Sequence, residues 1–173
     1  ISEVVSDFTL RNNIFNLKSA TSSGTGIAIG YANTAGVSAP TNHFIYNNSF
    51  YYPGNAGFAA ITAFDYLGTD ISNIVMKNNL AYAPNATKDA FNNNSQGVFY
   101  TGNVLGGGYT LLNNSSNAQV KNTSPSFASS TPISYLGFTP SLASYALGAG
   151  TSVPVWSDFN LTAQSGTRSL GAI

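Results

Sequence analysis

The chain has no cysteine and one histidine, and only 7% of its 173 residues are charged, against roughly a quarter in an average soluble domain. Each scarcity excludes something. Without cysteine there are no disulfides and no thiolate chemistry. With His43 alone, neither a histidine-based metal site nor a conventional Ser-His-Asp triad can be assembled. Six basic and six acidic side chains cancel, so no electrostatic footprint marks a nucleic-acid partner or an anionic membrane. No apolar run approaches the ~20 residues of a membrane span. The opening "ISEVVSDFTL" reads as strand rather than as a leader, so Ile1 is expected to be a processing or truncation boundary. What remains is apolar enough for one packed domain: 43% hydrophobic residues and a mean hydropathy of +0.02. Asn, Ser, Thr and Gly supply the polarity, a composition expected outside the cell or at its surface.

The informative feature is a repeat. "RNNIFNL" (11–17), "YNNSFYYPG" (46–54), "KNNLAYAP" (77–84) and "TGNVLGG" (101–107) share a polar break between strand-like runs. Anchored on the last Asn of each break, at Asn13, Asn48, Asn79 and Asn103, the intervals are 35, 31 and 24 residues. Such lengths suit solenoid units with insertions. Five residues before the anchor stand Phe8, His43, Ile74 and Val98; three before it, Leu10, Ile45, Met76 and Tyr100. Two after it stand Phe15, Phe50, Ala81 and Leu105. Two before it the column is mostly polar, with Arg11, Tyr46, Lys77 and Thr101. Alternating columns around a fixed break describe strand, corner, strand. Asn tolerates the left-handed backbone conformation, and Gly102 enters it without strain, so either residue can turn the corner. The Asn amide both donates and accepts, so stacked corners would form a ladder at Asn13, Asn48, Asn79 and Asn103. The competing arrangement is an antiparallel sandwich with Asn-Asn hairpin turns, although such turns favour Asn-Gly or Asp-Gly.

Over about residues 7–107 these motifs resemble the right-handed parallel β-helix proteins of the pectate-lyase-like kind, whose coils carry such an Asn corner. From Ser124 the chain becomes rich in Pro and Gly. Pro125 and Phe127, Ala149–Gly150, Asp158, Arg168 and Gly171–Ala172 are similar in order to the ending of secreted choice-of-anchor Q type β-helix proteins. Two features depart from that ending: no acidic residue follows Gly171–Ala172, and the loop "DFNLTAQSG" is longer. The expected fold is therefore all-β, a right-handed parallel β-helix with an Asn corner ladder and a loop-rich C-terminal coil and cap. Residues 1–173 form one domain, with repeat coils over 1–123 and the terminal coil and cap over 124–173. "PSLASYAL" (140–147) reads as a short helix or another strand, and Asp158 with Arg168 as a structural ion pair.

The resemblance implies that an enzyme on this fold would cleave polysaccharide, using clustered carboxylates, a basic residue or Ca²⁺. The weak candidates here are Asp65, Asp70 and Lys77; loop solvation explains the two aspartates as well. No cofactor is expected, with Ca²⁺ at Asp65 and Asp70 as the exception. His43 lies in an apolar column, which favours a core histidine over a general base. "SSGTGIAIG" (22–30) lacks the Lys and Gly spacing of a phosphate loop. Tyr51, Tyr52 and Phe58 are the candidates for stacking on sugar rings or on another subunit.

Three functions follow: a structural fibre, spike or surface-layer segment, a carbohydrate-binding segment, or the trailing coils of a polysaccharide lyase or glycoside hydrolase. The balance is against an enzyme. The favoured reading is a non-catalytic structural or surface protein that associates through stacked coils. Its partners would be other copies or a preceding chain segment, with polysaccharide as a further partner, and without nucleic acid or a membrane span.

Overall fold

Three parallel sheets make up the computed structural model, and the chain visits them in a fixed rotation. The structure describes residues 6–17, 25–31, 41–53, 59–65, 72–84, 91–93, 98–101, 103–107, 118–120, 125–132, 134–144, 146–153, 157, 159, 161, 163, 169, 171 and 172. The first passage runs through β1 (Thr9–Arg11), β2 (Ile14–Asn16) and β3 (Thr25–Tyr31). The second runs through β4 (Thr41–Tyr46), β5 (Ser49–Tyr51) and β6 (Ala59–Asp65), and the third through β7 (Ser72–Lys77), β8 (Leu80–Ala83) and β9 (Phe91–Asn93). Then come β10 (Val98–Thr101), β11 (Asn103–Gly107) and β12 (Ala118–Val120). One sheet orders as β1-β4-β7-β10, the second as β12-β11-β8-β5-β2, and the third as β3-β6-β9. Each passage is one rung of the stack.

Every described strand pairing is parallel. The hairpin alternative therefore does not hold: the two strands flanking an Asn-Asn break belong to different sheets rather than to one hairpin. The register follows the sequence columns. His43 pairs with Ile74 and Ile74 with Val98; Leu10 pairs with Ile45, Ile45 with Met76, and Met76 with Tyr100. Beyond the corner, Phe15 pairs with Phe50, Phe50 with Ala81, and Ala81 with Leu105. Slipping a strand by one residue would turn each of these side chains to the opposite face, which is why burial fixes the register. Ile45, Phe50, Ile74, Met76 and Ala81 are completely buried, and Phe15 stacks flat on Phe50 at 4.6 Å.

The corner itself is made by the first Asn of each pair. Asn12, Asn47 and Asn78 have φ of 57°, 51° and 57°, the left-handed region that Asn tolerates best among residues with a side chain.

The C-terminal segment differs from the expected last coil. Its described residues lie along the flank of the first three rungs. Phe127, Phe138 and Ala146 pack with Tyr51 and Leu80, flanked by Ile14 and Tyr82, while Val153 packs on Tyr46. A parallel sheet is normally covered on both faces; here the tail supplies the outer cover of the second sheet. The described residues of 140–147 form neither a helix nor a strand. Pro140 forms an isolated bridge to Phe127, and turns follow it; the described helical residues are the single 3-10 turn Tyr135–Phe138. The reason is local: the Ser144 hydroxyl bonds the carbonyl of Pro125 and accepts the N–H of Ala146, holding the chain in turns. Asp158 and Arg168 lie outside the described residues.

The tail returns at Gly171, whose N–H donates to Asn78 O at 2.8 Å while Ala172 N donates to Ser49 Oγ. Gly171 has φ +84°, and a Cβ there would stand 2.5 Å from Ser49 Oγ and 3.4 Å from Leu80 Cβ. Gly171→Ala is expected to lower stability by about 1–3 kcal/mol through backbone strain alone. Urea denaturation followed by tryptophan fluorescence checks this, and an unchanged midpoint would rule out the docked position of the tail.

Candidate functional site

The anchor asparagines, second in each pair, form a continuous ladder along the stack. Asn48 Oδ1 accepts both the backbone N–H and Nδ2 of Asn13, each at 3.0 Å. Asn79 Oδ1 accepts the same two groups of Asn48 at 3.1 and 3.0 Å. Each Nδ2 also donates backwards, from Asn48 to Leu10 O at 3.2 Å and from Asn79 to Ile45 O at 2.9 Å. A single carboxamide thus binds the rung before it and the rung after it. Asn48 and Asn79 are completely buried, where an unpaired amide would be costly. Of Asn103 the structure describes the backbone, which starts β11 in register with Ala118.

A second ladder runs six residues before the anchor. Asn73 Nδ2 donates to Asn42 Oδ1 at 2.7 Å, and Asn42 Nδ2 donates to Asp7 Oδ1 at 2.8 Å. All three residues have positive φ, of 53°, 58° and 59°. The signal is the column Asp7, Asn42, Asn73, Gly97, all of residue types that tolerate or favour this conformation. The two ladders run in opposite directions. In the inner one each amide donates to the rung that follows, and in the outer one to the rung that precedes.

In two of the pairs the first Asn fastens the tail. Asn78 Oδ1 accepts Thr151 N at 2.8 Å and Thr151 Oγ1 at 3.1 Å, and its Nδ2 donates to Thr151 O at 2.7 Å. Two rungs earlier Asn12 Nδ2 donates to Ser157 O at 2.5 Å.

The other candidates are dispersed. Tyr51 and Tyr52 are buried, so they offer no ring face to a sugar or a subunit: Phe138 meets Tyr51 edge-on at 6.2 Å, and Tyr82 stacks on it at 5.9 Å. Burial, with the neighbouring Tyr82 phenol, pushes the Tyr51 hydroxyl above its ordinary range. Asp65 ends β6 in the third sheet and Lys77 ends β7 in the first; Asp70 and Phe58 lie outside the described residues. Among the described residues no group of three His, Cys, Asp or Glu could hold a metal ion. His43 is buried beneath Phe8, ring centroids 6.1 Å apart, and its Nδ1 has no hydrogen-bond partner among the described residues. Residues 25–30 of the glycine-rich stretch 22–30 belong to an ordinary strand, β3 (Thr25–Tyr31). Comparison with models of known protein families, with curated proteins and with solved structures returns no match.

Two expectations follow. Asn48→Ala removes the side-chain acceptor of Asn13 and takes from Asn79 Oδ1 the Nδ2 donor, while the backbone N–H of residue 48 remains. Leaving one buried group unsatisfied costs about 1–3 kcal/mol, so Asn48→Ala should destabilise the chain more than Asn13→Ala, measured by urea denaturation. Burial holds the His43 pKa below 6.5, partly offset by the nearby Asp7 carboxylate. A base with a depressed folded pKa stabilises the fold fully above its unfolded value, and that contribution is lost as pH falls from 6.5 through the folded value. The melting temperature should fall across that window, and His43→Phe should flatten the fall.

Proposed function

We propose that this chain is a non-catalytic structural or surface protein of the extracellular kind, built as a right-handed parallel β-helix, which associates through its stacked coils. The coil reading is supported by three rungs that visit three parallel sheets in the same order. Right-handedness is supported by the chirality that governs nearly every crossover between parallel strands of one sheet. The resemblance of the Asn corners to pectate-lyase-like repeats agrees with both.

One observation carries the functional part. The inner ladder repeats one self-complementary contact from rung to rung, and at Asn13 it ends with an unused acceptor. Among the described residues, nothing donates to Asn13 Oδ1, whereas Asn48 and Asn79 each accept two bonds at that atom. A repeat that joins rung to rung within the chain has the chemistry to join rungs between chains. The ionisable side chains of the first rungs serve the stack as well: Asp7 ends the outer ladder, and His43 fills the core column. With only 7% charged residues, little repulsion opposes lateral or edge contact between copies.

Light scattering coupled to size exclusion should show mass rising with concentration. The rise should persist in molar salt, because screening removes little where charge is sparse. A monomer at every concentration would overturn the reading. Release of reducing ends or unsaturated uronates from a polysaccharide panel would instead assign a hydrolase or a lyase.

A further inference from the structure

We infer that the N-terminal face of the first rung is a docking edge for one more strand–corner–strand segment, and that this segment carries an asparagine at its corner. The inference rests on the proposed association through coils and names the partner that such association selects.

The face is defined by what its groups lack. β1 and β2 are edge strands of their sheets, with no described strand beyond them. In the second rung, Phe44 N donates to Phe8 O at 2.8 Å and Ser49 N to Asn13 O at 2.9 Å. Thr9 and Ile14 occupy the same two columns one rung earlier, so their N–H groups point off the stack in the same direction. The apolar columns are uncovered on that side too. Phe8 is 41% exposed, while His43 in the same column is 4% exposed.

Hydrogen-bond polarity then specifies the occupant. Within the stack, the atom that satisfies each anchor Oδ1 is the N–H and Nδ2 of an Asn one rung earlier. Asn13 Oδ1 therefore matches an Asn corner in register. Asn13 Nδ2 carries the same mark: Asn48 and Asn79 send this group back to Leu10 O and Ile45 O of the preceding rung, whereas Asn13 turns it onto Arg11 O of its own. The outer ladder ends on the Asp7 carboxylate, which only accepts. Both corners of this face thus present acceptors, and the docking segment must bring donors to both. The last described strand, β12, does not meet the requirement at the inner corner, because Ala118 stands in register with Asn103. Copies stacked head to tail through β12 would offer Asn13 a backbone N–H but no carboxamide. An Asn-corner segment is the better partner.

The test uses the full chain and a fluorescent peptide of residues 41–52, TNHFIYNNSFYY, which carries the corner of the second rung. Anisotropy should show saturable one-to-one binding. Asn48→Asp within the peptide removes the Nδ2 donor and sets a carboxylate against Asn13 Oδ1, and it should weaken binding at least tenfold. Thr9→Pro in the full chain removes one outward N–H and should also weaken binding. Equal binding of the Asn and Asp peptides, no binding, or indifference to Thr9→Pro would overturn the inference. Light scattering on the same samples separates the two claims. Oligomers without Asn-selective peptide binding leave the structural reading standing and overturn the docking edge; selective binding by a strictly monomeric chain does the reverse.

Discussion

A buried carboxamide must find partners for both its donor and its acceptor, and in this chain the partner is the same residue one rung away. Asn48 illustrates the constraint. Its Oδ1 serves Asn13, and its Nδ2 reaches Asn79 and also Leu10 O, so four backbone or amide groups depend on one side chain. Shifting any rung by one residue would separate these groups and leave amides buried without water. The ladder therefore does more than turn a corner. It ties the local backbone geometry of each break to the register of every strand on either side, including the stacked pair Phe15–Phe50.

The same constraint explains the scarcity of charge. In parallel stacking, residues of one column sit directly above one another, about 4.8 Å apart. Like charges placed so are destabilising, whereas an amide can stack upon itself because it donates at one end and accepts at the other. The few charges in described columns obey this rule. Arg11 and Lys77 share a column but are separated by Tyr46, which pairs with both. Asp7 is the one charge of its column, above Asn42 and Asn73. A chain built this way draws its polarity from Asn, Ser and Thr.

Much of this was legible in the sequence, and what was not has identifiable causes. The columns at Phe8, Leu10 and Phe15 could be read because a fixed break supplies an origin from which to count. The outer ladder escaped because its break is a single residue, Asp7, Asn42 or Asn73, with no doubled Asn to draw attention. Tyr51 reads as a stacking candidate because alternation separates two faces but does not say whether the outer one meets water. In this chain it meets Phe127 and Phe138, some 75 to 87 residues further along the sequence. The placement of the tail was not legible at all. The bonds from Asn78 to Thr151 and from Asn12 to Ser157 span 73 and 145 residues, and no periodicity announces them.

Those tail contacts give the doubled asparagine its meaning. The two residues of each pair divide the work: the second points its amide along the stack, and the first adopts positive φ. At Asn12 and Asn78 the first residue also turns its amide outward to hold the tail. A glycine in the first position would keep the turn, since it enters the left-handed region freely, but it would give up the fastening. A residue confined to negative φ would lose the turn as well. Asn is one of the few residues that satisfy backbone, ladder and tail together, so a pair of them interrupts a strand where neither favours strand structure. The interruption joins the first two sheets to the segment that packs on them.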